Sequence, residues 1–285
     1  MKLLSPAKIN LFLHITGRRP DGYHTLHTLM CPVALYDIVD LAFGVNHTRI
    51  RCDHPQVPAD GSNLACRAAD LFSDAMETRR PGSVCAVAIT LDKQIPVAAG
   101  LGGGSSNAAS VLLGMNQYFG KPFDERELST MGLAVGADVP FFIHGRPALA
   151  TGIGEILEPP PPLRPFTIVL VTPGVGVSTA TVYKKLNLGL TNHKKENKNN
   201  LFKFEAYEPV KHLCNDLELV TVDLCPEVST AKAMLLDLGA DGALMSGSGP
   251  TVFGIYSDSE HAANAQNVIL RARDQWRVFV AEAIV

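Results

Sequence analysis

The run "IPVAAGLGGGSSNAASVLLGM", Ile95–Met115, sets Gly100 one leucine ahead of three consecutive glycines, then two serines, then an apolar stretch. Glycine weakens helix and strand alike, so a cluster of them needs a reason. Upstream, Val84–Leu91 reads as a strand. Downstream, Ala108, Val111 or Leu112, Met115, and Tyr118 or Phe119 recur at helical spacing until Gly120 and Pro122 end the pattern. A strand, a glycine loop and a helix N-terminus make an anion site. Glycine lets backbone N–H groups converge, and the first helical turn adds unpaired donors and a positive dipole end. From Gly100 to Ser106 the natural guest is phosphate. Ser105 and Ser106 add hydroxyls and can cap the helix, and a β-branched side chain at Gly103 is expected to block close approach of the phosphates and to resist any positive φ there. The loop is not a Walker A motif, because no Gly-Lys-Ser/Thr follows, and it does not match G-x-G-x-x-G. The plain alternative is a tight turn.

The remainder is that of an ordinary globular protein. The chain has 285 residues, 46% hydrophobic and 19% charged, with a net charge of −3. That composition excludes disorder, and the charge argues against a nucleic-acid or membrane surface. No apolar run approaches the roughly 20 residues of a spanning helix. Pro6, Lys8 and Asn10 interrupt "MKLLSPAKINLFLHITG", so it does not read as a signal peptide. Cys31, Cys52, Cys66, Cys85, Cys214 and Cys225 form no C-x-x-C pair and suit free thiols in a cytoplasmic protein better than disulfides or a zinc site.

At the start, Ile9, Leu11, Leu13 and Ile15 alternate with Lys8, Asn10, Phe12 and His14, the pattern of a strand. Arg18–His24 is a turn with Asp-Gly at its centre, so a second strand is expected near Tyr23, and Val33–Phe43 reads as a third. Ser62 is expected to open a helix carrying Leu64, Ala68, Leu71 or Phe72, and Ala75. Another is expected at Asp124, with Glu127 completing a capping box. The prolines of "EPPPPLRP", Glu158–Pro165, suggest a linker. Beyond it the spacing predicts strand 166–172, helix 178–186, helix 226–238, strands 242–245 and 251–256, helix 259–271 and strand 276–284, an α+β layer of ferredoxin-like kind. Asn192–Asn200, "NHKKENKNN", reads as a solvated basic loop.

Three more stretches complete a larger pattern: "SPAKINLFLHITGRRPDGYH" near the start, "GADVPFF" at Gly136 and "LMSGSGPTVFG" at Leu244. With "PVAAGLGGGSSNAA" they resemble, in order and spacing over nearly the whole chain, the GHMP small-molecule kinases. The resemblance implies an α+β, two-domain fold: a ribosomal-S5-like N-terminal domain, residues 1–157, and a ferredoxin-like C-terminal domain, residues 158–285, with the active site between them. It implies transfer of the ATP γ-phosphoryl group, with Mg2+, to the C2 hydroxyl of a cytidine-diphosphate-linked methylerythritol in non-mevalonate isoprenoid precursor synthesis. The expected partner is that small molecule, with no nucleic acid and no membrane, and the expected state is a monomer or homodimer.

The same resemblance gives roles. Asp138 would be the catalytic base, assisted by Lys8; the phosphate loop would comprise Pro96, Val97, Ala98, Ala99, Gly100, Leu101, Gly102, Gly103, Gly104, Ser105 and Ser106. Asn10 would bind the sugar-alcohol end, and Tyr23, His24, Thr179 and Tyr183 the cytidine group, with Tyr23 and Tyr183 expected to clasp the base. Each has a plainer reading. Asp138 could merely cap a helix entered through Pro140. Lys8 could sit on the wet face of an edge strand. The aromatics could be core, and "SGSG" a hairpin-like turn. His24 and His27 make no metal site by themselves, so no protein metal ligand is assigned; Ser106 is a candidate to touch the ATP-borne ion. The alternatives in function are a kinase of mevalonate, homoserine or a sugar, and a nucleotide-binding regulator without turnover.

Overall fold

A computed structural model describes residues 1–186 and 207–285. In chain order the elements are β1 (Lys2–Arg18), β2 (His24–Phe43), β3 (Arg49–Cys52), α1 (Leu64–Arg79), β4 (Val87–Asp92), α2 (Gly103–Tyr118), α3 (Glu125–Val135), α4 (Val139–His144), β5 (Ala148–Thr151) and β6 (Ile156–Glu158). There follow β7 (Thr167–Thr172), α5 (Thr179–Lys185), β8 (Cys214–Asn215), α6 (Glu218–Leu224), α7 (Glu227–Asp237), β9 (Gly242–Met245), β10 (Val252–Tyr256), α8 (Ser259–Ala272) and β11 (Arg277–Glu282). The expected basic loop, Asn192–Asn200, lies outside the described residues. The chain divides into two compact units: residues 1–7, 35–97 and 102–145, and residues 8–34, 98–101 and 146–285.

In the first unit the far end of β2, Ile38–Phe43, pairs antiparallel with β4, and β3 joins β4 in parallel. Phe72 of α1 is fully buried and packs on Phe119 and, edge-on, on Phe123. The capping box before α3 is present as expected: Asp124 accepts from the Glu127 N–H while Glu127 accepts from the Asp124 N–H. The start of α1 differs from the expectation by one residue. Asn63, not Ser62, is its N-cap, its side chain accepting from the Ala65 N–H at 2.9 Å, while Ser62 donates to Asp60.

In the second unit β1 lies between β2 and β8. The β1·β8 pair is parallel, Phe12 facing Cys214 and Leu13 facing Asn215. β1 is thus paired on both edges over that stretch, and it is buried on both faces as well: Lys8, Asn10 and Phe12 on one, Ile9, Leu11 and Leu13 on the other. The two strands expected near Tyr23 and over Val33–Phe43 are one strand, β2. Pro32, which cannot donate to a ladder, falls between the stretch that pairs with β5, Thr28–Met30, and the stretch that pairs with β4, Ile38–Phe43. Its carbonyl still accepts the Ile284 N–H at 2.9 Å.

The other sheet runs β11-β7-β10-β9, all antiparallel. Numbered along the chain that order is four-one-three-two with helices between, the split β-α-β arrangement. Val169, Val171, Met245 and Val252 meet Val228 and Leu235 of α7 and Ala265 and Ile269 of α8 in one core.

Candidate active site

The loop between β4 and α2 owes its path to three left-handed residues in alternation: Ala98 at φ 52°, Gly100 at 79° and Gly102 at 71°. Alternation of this kind turns successive N–H groups to one side, the geometry of an anion-binding nest. Gly102 is the N-cap of α2 and supplies no side-chain cap. The expectation that Ser105 or Ser106 caps the helix is therefore corrected: both lie inside its first turns. Gly103 is helical and not at positive φ; a Cβ there would meet Ile95 at 3.1 Å and the Lys93 Nζ at 3.2 Å. The tightest approach of backbone to backbone in the loop is at Gly100, where a Cβ would lie 2.1 Å from the Ser246 carbonyl oxygen.

That contact reveals what the Ser246–Gly249 turn does. Ser246 Oγ donates to the Gly100 carbonyl at 3.0 Å, and the Thr251 N–H donates to the Ala99 carbonyl at 3.3 Å. The turn is itself braced by Asn215, whose amide donates to the Met245 and Gly247 carbonyls at 2.8 Å each, and by Thr221 on the Ser248 carbonyl. So "SGSG" joins two strands, as the plain reading held, and also backs the glycine loop.

Lys8 is not on a wet face. It is 5% exposed, and its Nζ donates to Asn10 Oδ1 at 2.7 Å. Its backbone N–H donates to the Leu101 carbonyl at 3.0 Å, which ties the strand to the loop. Asn10 Nδ2 donates in turn to Thr28 Oγ1 at 2.9 Å, and Thr28 to the Phe12 carbonyl. Thr28 was invisible to sequence reasoning, since nothing in "HTLHTLM" distinguishes it.

Two rings of the expected cytidine group are in contact. His24, not Tyr23, meets Tyr183, with ring centroids 5.3 Å apart and planes tilted by 36°. Tyr23 is exposed. Burial, with the Arg18 charge nearby, lowers the His24 pKa below its usual value, which favours the neutral ring that can both donate and accept around a polar rim. Thr179 opens α5 and shares a hydrogen bond of 2.8 Å with Ser248 of the bracing turn.

In the first unit a buried polar cage joins the entrance of the loop to the helix beyond it. Asp37, fully buried, accepts from the Gln94 and Ile95 N–H groups at 2.8 and 2.9 Å and from Asn107 Nδ2 at 3.0 Å, and pairs with Lys93. Lys93 also donates to Asn107 Oδ1. Ser5 donates to Ser106 Oγ at 2.9 Å and accepts from Asn107 and Ser110. Ser106 thus faces inward. Ser105 is half-buried, its Oγ 3.7 Å from where a Cβ on Gly136 would sit. That places the first turn of α2 beside the stretch leading to Asp138. Asp138 stands at the N-cap of α4 with φ −83° and ψ −12°, but its side chain makes no capping hydrogen bond. The cage was legible only as an aspartate in the apolar run "VALYDIVDLAF".

Comparison with known proteins fits this arrangement. Residues 63–146 match the model of the GHMP kinases N terminal domain and residues 201–274 that of the GHMP kinases C terminal. A 4-diphosphocytidyl-2-C-methyl-D-erythritol kinase of Syntrophotalea carbinolica is 48% identical over 99% of this chain and 98% of its own. The protein of that name from Geobacter metallireducens is 41% identical over 100% of this chain and 99% of its own. A crystal structure of 4-(cytidine 5'-diphospho)-2C-methyl-D-erythritol kinase superposes with a TM-score of 0.81 at 37% identity, covering 99% of both chains. The fold extends to Methanococcus jannaschii mevalonate kinase, with a TM-score of 0.69 at 14% identity over 100% of this chain and 98% of that one. A glycine nest ahead of a helix, backed by a serine-glycine turn and tied to a buried lysine, therefore sits in a chain matched in both halves by one family's models: it belongs to the GHMP kinases, a family of small-molecule kinases.

Proposed function

We propose that this chain transfers the γ-phosphoryl group of ATP to the C2 hydroxyl of 4-diphosphocytidyl-2-C-methyl-D-erythritol, in non-mevalonate isoprenoid precursor synthesis. The observation that carries the proposal is Lys8: a lysine buried to 5% exposure, hydrogen-bonded to Asn10 and pinned through its N–H to the glycine loop. Desolvated and held in place, an ammonium stabilises charge on transferring phosphoryl oxygens without reorganising. Asp138 accepts the proton of the attacking hydroxyl, its carboxylate not being used in a cap. The loop from Pro96 to Ser106 receives the ATP phosphates on backbone N–H groups. Ser106 belongs to the buried cage, so it is not assigned to the magnesium that accompanies ATP, and no protein ligand is. Asn10 addresses the sugar-alcohol end, and His24, Thr179 and Tyr183, with Tyr23 at the rim, the cytidine group. Full-length relatives of that name support the substrate.

The test is ATP consumption by the purified protein with the cytidine diphosphate substrate, mevalonate or homoserine as acceptor. Turnover is expected with the first alone. Turnover with another acceptor would displace the substrate, and none with any would favour a regulator.

Two variants divide the work of the site. Gly100→Ala sets a methyl group 2.1 Å from the Ser246 carbonyl in a residue at φ 79°, and neither backbone can yield alone. Strain of about 1–3 kcal/mol is expected, hence an ATP affinity lower by roughly 5- to 150-fold. Unchanged ATP titration would make the loop a mere turn. Tyr183→Ala removes the ring that meets His24 and should weaken the cytidine substrate by roughly 5- to 150-fold, on the scale of one base–aromatic stack. Calorimetric titration should show little change for Tyr183→Phe or in ATP binding, whereas equal substrate affinity in Tyr183→Ala would return that ring to the core.

A further inference from the structure

His14, Cys214 and Asp216 take no part in the chemistry above, yet the fold brings them together. The parallel β1·β8 pair sets Cys214 opposite Phe12. The Asp216 N–H donates to the Leu13 carbonyl at 3.0 Å, and Asp216 Oδ2 accepts the Ile15 N–H at 2.7 Å. That second bond turns Oδ1 towards the other two side chains. It lies 3.7 Å from His14 Nδ1 and 4.0 Å from Cys214 Sγ, while Cys214 Sγ lies 4.0 Å from His14 Nδ1. The Asp216 side chain is 2% exposed and that of His14 32%, so the cluster is closed beneath and open on one side.

These separations can be compared with those of a zinc centre. With Zn–S of about 2.3 Å and Zn–N or Zn–O of about 2.1 Å, a tetrahedral ion spaces sulfur from nitrogen or oxygen by about 3.6 Å and nitrogen from oxygen by about 3.4 Å. The three atoms need to close by only a few tenths of an ångström. We propose that His14 Nδ1, Cys214 Sγ and Asp216 Oδ1 bind a borderline transition-metal dication, Zn2+ foremost, with water as the fourth ligand on the open side. Thiolate and imidazole select such ions over Mg2+ or Ca2+, which take oxygen ligands, so this site is separate from the magnesium that travels with ATP. On binding, the Cys214 thiol yields its proton to solvent. The bond from Ile15 to Asp216 is the outer support that metal-ligating carboxylates use.

His14 lies on the face of β1 that carries Lys8 and Asn10, about 13 Å beyond Asn10 at the rise of a strand. Asn215, between the two β8-side ligands, braces the Ser246–Gly249 turn. A metal here fastens β8 to β1 beside that brace.

The test uses metal-free, nucleotide-free, full-length protein. Co2+ is expected to bind one per chain with a thiolate-to-metal charge-transfer band, and Zn2+ to displace it and raise the Tm. Cys214→Ser should lose the band and weaken Zn2+ at least about tenfold, while Cys52→Ser keeps both. On the unmutated chain, Zn2+ should slow alkylation of Cys214 and leave that of Cys52 unchanged. No stoichiometric binding, a band that survives Cys214→Ser, or equal alkylation rates with and without Zn2+ would each overturn the proposal.

Discussion

Asp138→Asn is expected to fold like the parent chain and to turn over at no more than about one hundredth of its rate, the usual scale for loss of a general base. Asp138 heads α4 without a side-chain capping hydrogen bond, so the substitution removes no cap. Asparagine keeps the shape of the side chain and an oxygen that can accept, so the Tm is expected to stay close to that of the parent chain. ATP affinity should be retained. Steady-state rates beside thermal denaturation decide the matter. Near-normal turnover would remove Asp138 from the chemistry, and a rate loss matched by a fall in Tm would make it a structural residue.

Asp37→Ala is expected to cost about 3–5 kcal/mol of stability, the penalty for leaving one partner of a buried ion pair alone. The substitution strands Lys93 and also deprives the Gln94 and Ile95 N–H groups and the Asn107 amide of their acceptor. Because those groups hold the entrance of the glycine loop to α2, the KM for ATP should rise as well. Urea denaturation measures the first effect. A loss below about 1 kcal/mol would mean that water takes over the carboxylate's place and that the cage is not sealed.

Both predictions mark where sequence patterns suffice and where they stop. The glycine loop was legible because it lies in a contiguous stretch whose spacing carries its chemistry, whereas Asp138 was singled out only through the resemblance, its own surroundings reading equally as a helix cap. As legible as the loop are α3, whose start is written in its capping box, and the layer formed by β7, β9, β10 and β11, where strand and helix periods alternate cleanly. Asp37 was not legible, because its partners Lys93 and Asn107, and Ser5 beyond Asn107, come from separate segments and meet only through the fold. Periodicity also missed β3, β5, β6 and β8, which span four residues or fewer. It split β2 at Pro32, since a proline within a run ordinarily ends a strand, and only the change of pairing partner there makes room for it. Tyr23 and His24 are neighbours in sequence, and spacing alone could not say which ring would meet Tyr183.

The β1·β8 pairing has a consequence for how the protein is made. Ile15 and Asp216 are hydrogen-bonded across 201 residues of chain. At about 5–20 residues per second, a ribosome releases the first of them roughly 10–40 s before the second. Throughout that interval the apolar run from Leu11 to Ile15 has left the exit tunnel with one strand edge bare, so this short stretch is where a nascent chain of this protein has most need of a chaperone.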